Sequence, residues 1–78
     1  MTNYQLVMAA VEHYHRRGQM PRSDQILDYA REHNPGIRAP TVRALLSKMT
    51  RRGELHRQVV KTRKGRHYLY RLPGGRDI

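Results

Sequence analysis

Three stretches of the chain repeat their apolar residues at the spacing of an α-helix. In chain order these residues are Leu6, Val7, Ala10, Val11 and Tyr14; Ile26, Leu27 and Ala30; and Val42, Leu45, Leu46 and Met49. Each set falls on one side of a helix with 3.6 residues per turn, and polar residues fall on the other side. The pattern therefore predicts three helices, over residues 3–17, 23–33 and 40–52, each burying one side in a shared core.

The residues at the ends of these stretches favour the same boundaries. Thr2 and Gln5 have the spacing of a capping box, and Ser23 is predicted to be the N-cap of the second helix. Pro40 is expected at the first position of the third helix. The N–H at that position has no partner within a helix, so proline loses no hydrogen bond there. Gly53 is expected directly after the end of that helix.

After Gly53 the period changes from 3.6 residues to about two, the period of a β-strand. The positions that share one face are Leu55, Arg57 and Val59, followed by Tyr68, Tyr70 and Leu72. The run between them is basic and contains Gly65, which can take the positive φ of a hairpin turn. We predict a two-stranded hairpin over residues 55–72 with a basic tip, and a frayed tail over residues 73–78.

The length of 78 residues suits one domain, over residues 1–78, whose class is α+β: mainly α with a β-hairpin at the end. The absence of cysteine excludes disulfides, thiolate catalysis and cysteine zinc sites. The apolar runs are too short to span a bilayer, and residues 1–10 lack the basic start and long apolar centre of a signal peptide. We therefore expect no membrane association and a cytoplasmic location.

The basic residues are concentrated in one half of the chain. Residues 1–35 contain four Arg against four acidic residues, whereas residues 36–71 contain eleven Lys and Arg against Glu54 alone. The second segment thus carries a net charge of +10, equal to the formal charge of the whole chain. Charge spread for solubility would not leave one half neutral, so this partition predicts a polyanion-binding surface joined to a neutral scaffold.

The third predicted helix has an outer face that suits a polyanion. Opposite its apolar stripe lie Pro40, Ala44, Ser47 and Arg51, with Arg43 and Lys48 on the flanks. The small residues allow close approach, and the cations neutralise negative charge on whatever lies against them.

The order of these elements resembles the winged helix-turn-helix family of DNA-binding proteins. The resemblance covers about Tyr4 to Leu72 and is strongest from Thr41-Val42-Arg43 to Arg52-Gly53-Glu54-Leu55. It implies that the third helix enters the major groove and that the hairpin, called the wing, lies on the backbone or in the minor groove.

The resemblance also implies a set of DNA-binding residues. They are Arg38, Thr41, Arg43, Ala44, Ser47, Lys48 and Arg51 on or before the helix, and Lys61, Arg63, Lys64 and Arg66 on the wing. Arg43 is the first candidate for reading a base, because arginine can bond bidentately to guanine N7 and O6. Arg38, Lys48 and Arg51 are expected to contact phosphates, which fix orientation without specifying sequence.

Two other groups of residues are weaker candidates for chemistry. His13-Tyr14-His15 has the form of a metal-binding pair, but residues two apart on a helix point about 200° apart. The five tyrosines could form a stacking platform for single-stranded bases, or they could be the edges of the core. The sequence contains no nucleophile–base pair, paired carboxylates or glycine-rich phosphate loop, so we expect no enzymatic activity, no cofactor and no metal.

The predicted function is binding of double-stranded DNA, by a repressor-like transcriptional regulator or by a nucleoid-type architectural protein of the cytoplasm. The alternative from another class is a winged-helix interaction module that docks an acidic protein partner, and RNA is a third candidate partner. Fold alone does not separate these functions. A homodimer on DNA is also left open by the sequence.

Overall fold

Three helices precede an antiparallel β-hairpin in the computed structural model of the protein, which describes residues 1–73. The elements are α1 (Asn3–His15), α2 (Ser23–His33), α3 (Ala39–Arg51), β1 (His56–Thr62) and β2 (Gly65–Arg71). This arrangement confirms the predicted α+β class with the helices first, and it is consistent with a winged-helix layout.

One core is shared by the three helices and the base of the hairpin. Its buried members are Leu6, Val7, Ala10, Val11, Ile26, Ala30, Ile37, Val42, Leu46, Met49, Leu55 and Tyr70. Most of them belong to the predicted apolar stripes, while Leu27 and Leu45 are partly buried at the edge of the core. Burial of a large aliphatic side chain stabilises the fold by about 1.5–3 kcal/mol, so the inner side of each helix holds it in place.

The ends of α1 follow from local hydrogen bonding. The predicted capping box is confirmed, since Gln5 N–H donates to Thr2 Oγ1 at 3.1 Å and Thr2 N–H donates to Gln5 Oε1 at 2.8 Å. The helix ends at His15, two residues before the predicted end at 17. The chain leaves it through Gly18, whose φ of +71° lies in the left-handed region that favours glycine.

The N-terminal ends of α2 and α3 differ from the prediction. The N-cap of α2 is Arg22 and Ser23 is its first helical residue, so the prediction of Ser23 as N-cap is wrong. The Gln25 side chain accepts a hydrogen bond from Arg22 N–H at 2.8 Å, which satisfies one donor at this end. α3 covers residues 39–51 instead of 40–52, so Pro40 is its second residue and not its first. Proline is still tolerated there, because N–H groups in the first turn have no partner within the helix.

The two strands of the hairpin pair in a continuous register. Their pairs run from His56↔Arg71 at the base to Thr62↔Gly65 at the tip, leaving a two-residue loop of Arg63 and Lys64. Gly65 has a φ of +131°, as its predicted role in the turn requires. The predicted frayed tail over residues 73–78 lies outside the described residues, apart from Pro73.

A short connection ties the hairpin to the start of α2. Tyr70 N–H donates to the Pro21 carbonyl at 3.0 Å, and Arg22 forms an isolated antiparallel bridge with Leu69. The sequence of this connector shows no strand pattern, because a single pair of backbone hydrogen-bonding groups needs no alternation of side chains. The bridge places the hairpin base at a fixed position beside the helices.

Within residues 1–73, none of the helices combines the length and the apolar character needed to cross a membrane. The same part of the chain contains no group of three or more His, Cys, Asp or Glu side chains placed to hold a metal ion.

Candidate nucleic-acid interface

The helix α3 has two faces with opposite properties. Its inner face places Val42, Leu46 and Met49 in the core, each at most 1% exposed. Its outer face exposes Arg43 and Ser47 to solvent, together with the neighbouring polar and small residues of the same side. The outer face is therefore free for a partner while the helix behind it is held in place.

All eleven predicted DNA-binding residues are exposed. On and before α3 these are Arg38, Thr41, Arg43, Ala44, Ser47, Lys48 and Arg51; on the hairpin they are Lys61, Arg63, Lys64 and Arg66. At the hairpin tip Lys61 and Arg66 are directly paired across the strands, and Arg63 and Lys64 form the loop. The residues thus fall into two basic groups, one on a helix surface and one on a protruding hairpin.

Acidic side chains of residues 1–73 do not neutralise the cations of these two groups. Among residues 1–73 the one ion pair joins Arg22 Nε to Asp24 Oδ1 at 3.4 Å, and both residues belong to the neutral half of the chain. In that part of the chain none of the eleven residues has a carboxylate partner. An anionic ligand that binds them would therefore not have to displace a carboxylate of residues 1–73.

Glu54, the only acidic residue of the basic half, lies at the junction between α3 and β1. One of its carboxylate oxygens, Oε1, is buried away from solvent. Desolvation, followed by the Glu54 carboxylate, raises the pKa of the Tyr4 hydroxyl. The charge of Glu54 is thus placed at the base of the hairpin, away from the basic tip.

Hydrogen bonds hold the loop that leads into α3. Arg31 Nε donates to the Ile37 carbonyl at 3.3 Å, and Ile37 N–H donates to the Asn34 carbonyl at 3.0 Å. Asn34 Nδ2 in turn donates to Asn3 Oδ1 of α1 at 3.1 Å. Since Ile37 itself is buried, the loop sets where the N-terminal end of α3, and with it Arg38, meets the solvent.

One face of the hairpin combines a cation with an aromatic ring. The guanidinium carbon of Arg57 lies 4.3 Å from the centroid of the Tyr68 ring, a cation–π distance. Burial raises the pKa of Tyr70, the next ring on this face, against a smaller lowering effect of Arg57. The sequence reasoning missed the Arg57–Tyr68 contact because it depends on the strand register, although the alternating pattern had placed both residues on one face.

The histidines of α1 do not share a face. His13 is partly buried and packs against Tyr14 and Tyr29, with ring centroids 5.1 Å and 5.0 Å apart, whereas His15 is exposed. Tyr29 also packs against His33 at 5.2 Å. These contacts form a small aromatic cluster whose residues all belong to the neutral half of the chain.

Comparison with known proteins identifies no similar protein. No family model matches the chain, and no curated protein or solved structure matches it either. The resemblance to the winged helix-turn-helix family thus stays a prediction that is supported by the order of the elements.

Proposed function

We propose that this protein binds double-stranded DNA and acts as a small transcriptional regulator. The observation that carries the proposal is the outer face of α3, which is exposed and basic on a helix whose inner face is fixed in the core. A surface of this kind can enter a groove without losing its position relative to the rest of the molecule. The hairpin cations, which have no carboxylate partner among residues 1–73, extend the same positive surface.

The dimensions of α3 fit the proposed role. A helix with its side chains is about 10–12 Å across, which matches the major groove of about 12 Å. Arg43 is the residue that we assign to base reading, while Arg38 and Lys48 hold phosphates on either side. Ala44 leaves room for close approach and for contact with a thymine methyl group.

The hairpin has a different role in this proposal. Lys64 and Arg63 at the loop extend beyond the core, where they contact the phosphate backbone or a narrow minor groove. Lysine acts on phosphate as a flexible point charge, so a phosphate contact of Lys64 adds affinity without selecting a sequence. The isolated bridge at Arg22 keeps the hairpin base in place while its tip reaches the DNA.

The distribution of exposed apolar residues favours nucleic acid over an acidic protein partner. Within residues 1–73 the large apolar side chains that are exposed are Met1, Tyr4 and Val59, and none of them lies on α3. Protein–protein interfaces usually have an apolar centre surrounded by polar residues. The outer face of α3 has small and cationic residues at its centre instead.

A salt-titrated binding assay tests the proposal. The protein would be measured against a random DNA duplex, a duplex enriched by selection for this protein, and an RNA duplex of equal length. If about six to eight phosphates are neutralised, log K should fall against log[salt] with a slope of about −5 to −7 on DNA. Tighter binding to the selected duplex than to the random one would identify a regulator.

Three results would count against parts of the proposal. Equal affinity for the selected and random duplexes would point to nucleoid-type architectural binding. Tighter binding to the RNA duplex would replace DNA by RNA as the partner. Affinity that hardly changes with salt would mean that the cations do not neutralise phosphates, and it would favour docking to a protein.

A further inference from the structure

One face of the hairpin has features that contact with a DNA backbone does not require. The strand register places Val59 opposite Tyr68, with Arg57 and Tyr70 paired on the core side and Lys61 and Arg66 paired toward the tip. Tyr70 is buried in the core, whereas Val59 is 47% exposed although it lies in the middle of a strand. We call the part of this surface beyond Tyr70, made of the exposed Arg57 and Val59 and the partly buried Tyr68, the aromatic face.

The Arg57 guanidinium lies over the Tyr68 ring and adds a second flat surface on top of it. The guanidinium carbon lies 4.3 Å from the ring centroid, and the arginine itself is exposed. A guanidinium plane can stack on a nucleobase as well as on an aromatic ring. The stacked pair therefore leaves one planar, positively charged surface open to solvent, with the exposed Val59 beside it.

Phosphates are bound by charge and hydrogen bonds alone, so phosphate contact accounts for the basic tip but not for an exposed valine beside a partly buried tyrosine that carries a stacked arginine. Paired bases in a duplex present their edges to a protein, whereas unpaired bases present their flat faces. Flat apolar side chains next to cations are the combination that binds single-stranded nucleic acid.

We propose that the aromatic face binds unpaired bases where a strand leaves the end of a DNA duplex. This inference rests on the proposed function, because α3 is taken to hold the duplex itself. The largest dimension of the molecule is 35 Å, about one turn of duplex DNA. The hairpin therefore lies within about one turn of α3, and an unpaired strand that begins within one turn of the base pairs held by α3 is within its reach. The paired Lys61 and Arg66 supply the positive charge that its phosphates require.

The experiment compares three DNAs that share one duplex. The first is blunt, the second has a short single-stranded extension, and the third has an extension of equal length made of abasic nucleotides. The abasic extension keeps the phosphates and removes the bases, so the difference between the second and third DNAs isolates stacking from charge. We expect the extension with bases to bind about tenfold more tightly than the abasic one.

A fluorescent base gives a second readout that does not depend on affinity. We expect 2-aminopurine at the first unpaired position to change its emission when the protein binds, because stacking alters its fluorescence. The same base inside the duplex should change much less.

Two substitutions test the aromatic face directly. Tyr68→Leu keeps an apolar side chain at the core edge, and Arg57→Lys keeps the charge while removing the planar group. Both should lose the preference for bases and retain the wild-type affinity for the blunt duplex. Circular dichroism would check the fold, and Arg57→Lys decides the question if Tyr68→Leu does not fold.

The chain also provides a matched pair of neighbouring valines. Val59 and Val60 are adjacent on β1 and point to opposite faces of the hairpin. Val59→Thr should weaken the preference for bases, whereas Val60→Thr should leave it unchanged.

The possible failures are distinguishable. Equal binding of the extensions with and without bases would overturn this inference and leave the proposed duplex binding intact. A preference for bases that survives both Tyr68→Leu and Arg57→Lys would also overturn it, since the bases would then lie elsewhere. Failure of the wild-type protein to bind the blunt duplex would overturn the proposed function as well.

Discussion

The two basic regions of this protein, the outer face of α3 and the hairpin, are supported by the rest of the molecule in opposite ways. Behind the outer face of α3, Leu46 and Met49 are at most 1% exposed. The hairpin has Leu55 and Tyr70 buried at its base, but six of the seven residues of β1 are exposed. The helix is thus held along its length, and the hairpin is held at one end only.

This difference in support suggests different tasks for the two sets of cations. Reading a base requires the side chain to be held within a fraction of an ångström of its partner, which a helix locked in a core can provide. Binding a phosphate tolerates movement, because a point charge attracts from many positions. We therefore expect specificity to lie on α3 and sequence-independent affinity on the hairpin tip.

The largest expected effect tests the support itself. Leu46→Ala removes a fully buried side chain from the inner face of α3 and leaves a cavity, so it should lower the free energy of unfolding by about 2–5 kcal/mol. Val59→Ala removes an exposed side chain from the hairpin and should change that free energy by no more than about 0.5 kcal/mol. Urea denaturation followed by circular dichroism measures both variants. Similar losses in the two would mean that the hairpin is as firmly packed as the helix, and the comparison would fail.

The sequence predicts the buried face of α3 better than it predicts the exposure of the hairpin. The inner face of α3 was predictable, because Val42, Leu46 and Met49 repeat at a spacing that only a helix brings to one side. The exposure of Val59 was not, because it continues the alternation of Leu55, which is buried. Alternation identifies the face of a strand on which a residue lies, but not how far the core extends beneath that face.

Backbone pairing was the other feature that the sequence concealed. The bridge between Arg22 and Leu69 involves main-chain groups, which every residue type has, so no side-chain pattern predicts it. The N-cap of α2 was predicted one residue too late. Ser23 is a favoured capping residue, but it is the first residue of the helix, and the Gln25 side chain accepts a hydrogen bond from the N–H of the preceding Arg22.

The second prediction concerns base reading by α3. Arg43→Ala should weaken binding to a selected DNA site by about 1–3 kcal/mol and binding to random DNA by much less, because only the preferred site presents the base that Arg43 would contact. The ratio of the two affinities should shrink accordingly. Affinity measurements on both DNAs at two salt concentrations provide the test.

Arg17→Ala is the matched control for that variant. Arg17 is exposed like Arg43 but follows α1 in the neutral half, so its removal takes away the same charge from a surface that we expect to face away from DNA. It should leave both affinities almost unchanged. If Arg43→Ala weakened both DNAs equally, the arginine would be a phosphate contact and the protein would resemble an architectural binder more than a regulator.

The smallest expected effect is at the hairpin tip. Lys64 lies in the two-residue loop, exposed and without a carboxylate partner among the described residues. Lys64→Ala should therefore weaken every duplex alike, by up to about 1 kcal/mol, and make the salt slope less steep by about one. The ratio of selected to random affinity should stay at the wild-type value, because a flexible ammonium on a phosphate carries no information about sequence. Salt titration of the variant on both duplexes, with Arg17→Ala measured beside it, separates this outcome from a general loss of charge. If Lys64→Ala instead weakened binding to the selected site alone, the hairpin tip would be reading the DNA sequence. Support by the core would then not explain the division of tasks between the two basic regions.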